Sequence, residues 1–275
     1  MCGTPVRGRA IRGGCVLDEC ERCGHLLRDL QRCPAHHRDL AYGGEPSLDR
    51  IRLDLTYREL VRDGVPARVF EVGYGAGSML RRFLDDGAEV AGVDPDQLGI
   101  GVDEVVAAKG DLRVGGIEDV AALPGAQDLV YGIHVLEHVA DPLGALRSSF
   151  ELLRGGGRAS FITPAADSTG LERYGAAWWM LEDPTHIRFF SADSLARSAR
   201  AAGFVDVEVR RLLLDSLSVD AASLARAVRP GRRPGGVLGS RAVVAAAVGS
   251  VPFVVGQRLL SPRSRPTLQL IARRP

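Results

Sequence analysis

Three histidines and a nearby carboxylate carry most of the chemistry that this sequence offers. His134, Glu137 and His138 stand at positions i, i+3 and i+4, so on a helix they would share one face. His186 follows in the run Asp183-Pro-Thr-His186-Ile-Arg-Phe-Phe-Ser191, just before an expected helix. Neutral imidazole titrates near working pH, so His138 or His186 can take a proton from a bound hydroxyl, with Glu137 beside them. The same side chains can instead hold a metal ion, or simply hydrogen-bond around a pocket. Residue types alone leave these three readings open.

A second group lies in Glu71-Val-Gly73-Tyr-Gly75-Ala-Gly77-Ser78. An apolar run enters a glycine turn that opens a helix, whose first N–H groups are free to meet a ligand. The dinucleotide fingerprint needs G-x-G-x-x-G, but here the third glycine falls one residue early and Ser78 takes its place. Glu71 would repel a pyrophosphate and attract a sulfonium or ammonium. Asp94 ends the next apolar run, about 20 residues past the loop, where a carboxylate can accept both hydroxyls of a ribose. Ser78 and Glu71 therefore disfavour a dinucleotide oxidoreductase.

A third group is Cys20-Glu-Arg-Cys23-Gly24, a knuckle of the kind that aims two thiolates at one zinc. Cys2-Gly3 reads as the tail of a second knuckle whose partner is expected upstream of Met1. Alternatively, Cys15, Cys33, His36 or His37 completes the set. Cys2, Cys15, Cys20 and Cys23 are thus the candidate ligands of a structural zinc. Reduced, partly buried thiols are the competing reading.

Positioning these groups requires a parallel sheet under helices, because short apolar runs alternate with longer amphipathic ones. Strands are expected at Arg68 to Val72, Glu89 to Val93, Leu112 to Ile117, Asp128 to Ile133, Gly157 to Thr163, Phe204 to Val209 and Thr267 to Arg273. Asp141 with Pro142 should open one helix, and Ser191 another that stops at Gly203. Three regions follow: a cysteine-rich head over 1–40, a body over 41–210, and a tail over 211–275 holding a basic linker, an apolar helical segment and the final strand. Leu171 to Met180 holds both tryptophans and is read as an acceptor lid or as ordinary packing.

The ordered set resembles the class I S-adenosylmethionine-dependent methyltransferases. It comprises Glu71-x-Gly73-x-Gly75-x-Gly77, Asp94, Asp128-Leu-Val, His134-Val-Leu-Glu-His138-Val-Ala-Asp-Pro142 and Leu153-Arg-Gly-Gly-Gly157. The branch with the ubiquinone-biosynthesis O-methyltransferases is the most similar. The resemblance implies an α/β fold with a Rossmann-like seven-stranded sheet, helices on both faces and the last strand antiparallel. A small N-terminal zinc-ribbon-like module is expected in addition. It further implies S-adenosylmethionine held by Glu71, Gly73, Gly75, Gly77, Asp94 and His134, with adenine near Gly116, Ile117 and Glu118. His138, His186 and Glu137 would then serve transfer of a methyl group to a small-molecule acceptor, most simply a hydroxyl. Some members hold a divalent cation with Glu-x-x-Glu-His; His134 replaces the first Glu here, which favours a softer ion such as zinc over magnesium, or no ion at all. A binding protein that keeps the fold without the chemistry is the rival class.

The totals bound the rest. The chain has 275 residues, 45% hydrophobic and 25% charged, which excludes disorder. A net charge of +1 hides segregation: residues 210–275 hold 12 Arg against 2 acids, and residues 1–40 hold 7 Arg against 5 acids. All five cysteines fall within the first 33 residues, which argues for reduced thiols and a cytoplasmic setting. Nucleic acid is not an expected partner, because the basic tail lacks interleaved aromatics. Residues 237–256 are nearly all apolar, yet Arg241 and Pro252 argue against a span. A peripheral membrane contact, a homodimer or a packed helical pair is expected there.

Overall fold

The computed structural model describes residues 4–35, 46–96, 99–120, 125–228 and 241–275. The head contains β1 (Val6–Ile11), β2 (Cys15–Cys20) and β3 (Leu26–Leu27), followed by α1 (Pro46–Leu60). The body runs through β4 (Arg68–Val72), α2 (Ser78–Asp85), β5 (Glu89–Asp94), α3 (Glu104–Lys109), β6 (Asp111–Val114) and β7 (Gln127–Ile133). It continues with α4 (Pro142–Leu152), β8 (Leu153–Pro164), α5 (Thr169–Tyr174), β9 (Arg188–Phe189), α6 (Ala192–Ala201) and β10 (Val205–Arg211). The tail adds α7 (Val219–Val228), α8 (Arg241–Leu260) and β11 (Thr267–Arg273).

Seven strands pair in the order β10-β11-β8-β7-β4-β5-β6. The pairs from β8 to β6 are parallel, whereas β11 runs antiparallel to both of its neighbours. Parallel strands are covered on both faces, which is why β4 and β7 read as nearly unbroken apolar runs. The final strand lies where expected. The third expected strand stops at Val114, and Ile117–Asp119 forms a 3-10 turn instead. Both helix starts hold: the Asp141 carboxylate accepts from Leu143 N–H, and Ser191 and Ser194 form a reciprocal capping box.

The head is not separate from the body. β3 pairs with β9, so the sheet β1-β2-β3-β9 includes Arg188–Phe189 of the body. Leu17, Leu26, Trp178 and Phe189 are fully buried in one shared core. Gly175 closes the contact. Its φ of +57° suits glycine, and an added Cβ would collide with the Arg12 carbonyl, which accepts from Ala176 N–H at 2.8 Å.

Two expectations for the head are corrected. Cys15 and Cys33 are joined as a disulfide with Cα atoms 4.5 Å apart, so neither thiol completes a zinc set. The reduced-thiol expectation therefore fails for that pair, while Cys20 and Cys23 are buried side chains of the same head. Their knuckle is formed, with Gly24 N–H donating to the Cys20 carbonyl at 2.8 Å. Cys2, His36 and His37 lie outside the described residues.

Candidate active site

β4 ends on Glu71 and Val72, and the chain then turns sharply at Gly73, with φ +74°. A Cβ on Gly73 would come within 2.6 Å of the Val135 Cγ2. The glycine loop therefore interlocks with the turn after β7, at the carboxyl end of the central strands where open α/β sheets bind ligands. Gly77, φ +74°, sits behind the loop as the N-cap of α2. Asp94 closes the loop from β5: its Oδ2 accepts from Gly75 N–H at 2.9 Å and its Oδ1 from Asp96 N–H at 2.8 Å. Glu71 is buried, and burial raises its pKa well above the usual carboxylate range. The Tyr131 hydroxyl, donating at 2.9 Å, opposes that rise, while the nearby Asp94 charge adds to it.

These groups open onto a cavity of about 920 Å³ whose lining includes Glu71, Gly73, Gly75, Asp94, Ile117, Glu118, His134, His138 and His186. A cofactor the size of S-adenosylmethionine fits such a volume. A buried carboxyl with, among the described residues, a single O–H partner, beside a glycine cradle and a helix start, suits a ligand that brings positive charge.

The segment His134 to His138 is a turn and not a helix. His134 adopts a left-handed φ of +56°, and His138 N–H donates to the Val135 carbonyl at 2.9 Å. The expected common face is therefore divided. Glu137 points into the protein at 0% exposure, while His134 and His138 line the cavity. The Glu137 Oε2 accepts from the Thr163 hydroxyl at 3.0 Å, and its Oε1 meets His134 Nδ1 at 3.0 Å. On its other side His134 Nε2 faces Asp215 Oδ1 at 3.5 Å. Burial disfavours charge on His134, but the bonds to Asp215 and Glu137 outweigh it and raise the pKa to about 9. Glu137 is held low for the same reason, so the centre is a carboxylate, an imidazolium and a second carboxylate. His134 therefore has partners that the cofactor role expected for it does not require.

His138 is oriented differently. Thr185 lies 2.6 Å from Asp183 Oδ1 and 2.7 Å from His138 Nδ1. A hydroxyl has one proton, and the carboxylate can only accept, so Thr185 donates to Asp183 and accepts from His138 Nδ1–H. The lone pair of His138 is thus on Nε2. His186 is fixed in the same tautomer, because its Nδ1 meets the Met180 carbonyl at 2.8 Å. Burial, then the neighbouring His138, lower the pKa of His186 to about 4, so it is neutral. The two rings pack edge to face with centroids 4.7 Å apart. Among the described residues, one ligand atom each from Glu137, His138 and His186 lie within 4.8 Å of one another.

Several contributors were not visible in the sequence. Thr163, Thr185 and Asp215 are ordinary residues until the fold brings them in. Arg28, from the head, donates to the carbonyls of Cys33, Leu181 and Asp183 at 2.7 Å each and of His186 at 3.3 Å. The two tryptophans separate: Trp178 is core, and Trp179 with Met180 lines the cavity.

A family model described as a methyltransferase domain matches residues 35–209. The chain belongs to that family, and it is a class I S-adenosylmethionine-dependent methyltransferase. The ubiquinone biosynthesis O-methyltransferase of Chromobacterium violaceum is 32% identical over 167 residues, 57% of this chain and 71% of that protein. The Cereibacter sphaeroides protein of the same name is 32% identical over 161 residues, 55% of this chain and 65% of that protein. Among solved structures, phosphoethanolamine N-methyltransferase 2 from Haemonchus contortus with S-adenosyl-L-methionine has a TM-score of 0.55 at 15% identity. That match covers 82% of this chain and 52% of that one. The [4+2]-cyclase SpnF has a TM-score of 0.53 at 20% identity, covering 88% and 89%. At such identities the structures share the fold alone, and the fold hosts more than one chemistry.

Proposed function

We propose that the protein methylates a hydroxyl oxygen of a small, flat acceptor, with His138 as general base. The observation that carries this reading is the Asp183–Thr185–His138 chain, which leaves the Nε2 lone pair on a side chain that lines the cavity. S-adenosylmethionine supplies an electrophilic methyl group on a cationic sulfur. His138 takes the hydroxyl proton as the acceptor oxygen becomes nucleophilic. Trp179, Met180 and Val219 give the acceptor an apolar wall. The similar proteins named ubiquinone biosynthesis O-methyltransferase agree with an oxygen acceptor. Methyl-tritiated S-adenosylmethionine incubated with phenols, catechols and a host metabolite extract should place label on a hydroxyl oxygen. Label on nitrogen or carbon would replace the oxygen reading, and label nowhere would leave the rival, a binding protein.

Glu71, Gly73, Gly75, Gly77 and Asp94 are the proposed cofactor residues, with adenine beside Ile117 and Glu118. The raised pKa of Glu71 gives this assignment a direct readout. Burial raises the pKa of this carboxyl, and a cationic ligand favours its ionised form. Cofactor binding should therefore release a proton, and affinity should rise with pH, by up to about tenfold per unit, until Glu71 ionises unaided. Titration calorimetry in two buffers of different ionisation enthalpy reads the proton. Its absence in the native protein, or its persistence in Glu71→Gln, would remove Glu71 from the site.

A second reading rests on the Glu137, His138 and His186 cluster, which has the donors and spacing for zinc. The His134 cation on Glu137 Oε1 competes with it, since that oxygen is already neutralised. Structural zinc in the head is a further proposal, for which Cys20 and Cys23 supply two of four ligands and Cys2 a third. Metal analysis distinguishes the two: zinc lost in His186→Ala belongs to the cleft, and zinc lost in Cys20→Ser belongs to the head.

A further inference from the structure

We propose that α8 is a docking face for an anionic lipid surface. The helix spans Arg241–Leu260 and packs one side on α7 through Ala247 and Ala222, with Val254 and Arg258 also turned inward. The outward face of a surface helix is ordinarily polar. Here every exposed residue described between 242 and 260 is apolar. Val248, Phe253, Leu259 and Leu260 are 50%, 75%, 60% and 90% exposed, and α7 adds Leu224 and Val228 at 57% and 70%. Large apolar side chains grouped in this way mark a contact surface.

Charge selects the occupant. The last 66 residues, 210–275, hold 12 Arg and 2 acids; of these arginines Arg226 and Arg258 are buried, and Arg210, Arg211 and Arg263 pair with acids of earlier segments. Both acids are turned to the protein: Asp215 is buried beside Thr267, and Asp220 meets Tyr174 and Arg258. The sequence joining α7 to α8 contributes Arg229, Arg232 and Arg233 without an acid, and Arg241 begins α8. An apolar face with arginines in the adjoining sequence matches a bilayer interface, where apolar side chains enter the acyl boundary and arginines meet lipid phosphates. A second copy fits less well. A two-fold interface sets the same patch against itself, which would bring arginine against arginine. Among the described residues no helix is long and apolar enough to cross a membrane, so the contact lies along the surface.

The placement also serves the cleft. Trp179 packs against the α7–α8 pair and lines the cavity, as does Val219 at the start of α7.

The test is vesicle flotation of the full chain, with phosphatidylcholine alone and with added phosphatidylglycerol. The protein should float with the anionic vesicles and lose binding as salt is raised. Phe253→Glu with Leu260→Glu should cut the bound fraction by at least about tenfold. Both positions are exposed, so thermal unfolding and cofactor binding should stay at native values. Flotation that ignores anionic lipid, or that survives the double substitution, would overturn the proposal. So would a dimer in sedimentation that the double substitution dissolves while vesicles bind neither form, since the face would then belong to a second copy.

Discussion

His138→Ala should lower turnover by about 10²- to 10⁴-fold while the cofactor binds as before. The separation is expected because the two functions sit on different strands. Glu71, Gly73, Gly75 and Asp94 belong to the ends of β4 and β5, whereas His138 is delivered by the turn after β7 and oriented by Thr185. Thr185→Val should give a smaller loss, about tenfold, because it removes the acceptor that holds the Nδ1 proton. A chelator distinguishes a base from a metal ligand. With His138 as a metal-free base, native turnover is unaffected by chelation, and added zinc does nothing. Loss on chelation and recovery with zinc would transfer His138 to the metal reading. Unchanged turnover in His138→Ala would remove it from both. The measurements are initial rates of label transfer and equilibrium binding of S-adenosylmethionine to both forms.

What the sequence made legible is what neighbouring residues decide. The glycine loop, the strand at Thr267–Arg273 and the caps at Asp141 and Ser191 follow local rules of backbone freedom, alternation and capping, and each lies where those rules put it. The segment from His134 to His138 is not a helix for a local reason too. Its i, i+3, i+4 spacing suits a helix, but the left-handed φ of His134 breaks one, and the ion pairs on both sides of its ring hold it there. Strain of that kind is retained where surrounding contacts over-determine it. Asp215 could not be found from spacing, since it lies 81 positions after His134 and only the return of the chain beside β11 brings it in. Cysteine pairing was likewise not deducible: clustering identified a cysteine-rich head, but the join of Cys15 to Cys33 depends on how β2 and the following turn are folded.

The second large effect is expected at Arg28, a residue with no motif around it. Its side chain is 7% exposed, and its guanidinium reaches four carbonyls, three of them on the segment from Leu181 to His186. Burial lowers its pKa to about 10, opposed by Glu182 and Asp183, so it remains cationic at neutral pH. Arg28 thus joins the head to the loop that carries Asp183, Thr185 and His186. Arg28→Ala leaves buried carbonyls without a donor, which should cost about 3 kcal/mol or more of unfolding free energy. It should also lower turnover by about 10²-fold, since a misplaced catalytic segment loses alignment with the acceptor. Arg28→Lys should rescue little, because one ammonium cannot reach carbonyls on several sides as a planar fork does. Denaturant unfolding, label-transfer rates and cofactor affinity together read the effect. Cofactor affinity should hold under conditions where the variant is folded, because β4 and β5 are not touched by Arg28. Native turnover in a folded but destabilised Arg28→Ala would reduce the residue to a brace of the fold. A parallel loss of cofactor binding would show instead that the head supports the whole cavity, and that the two halves of the site are less independent than their strands suggest.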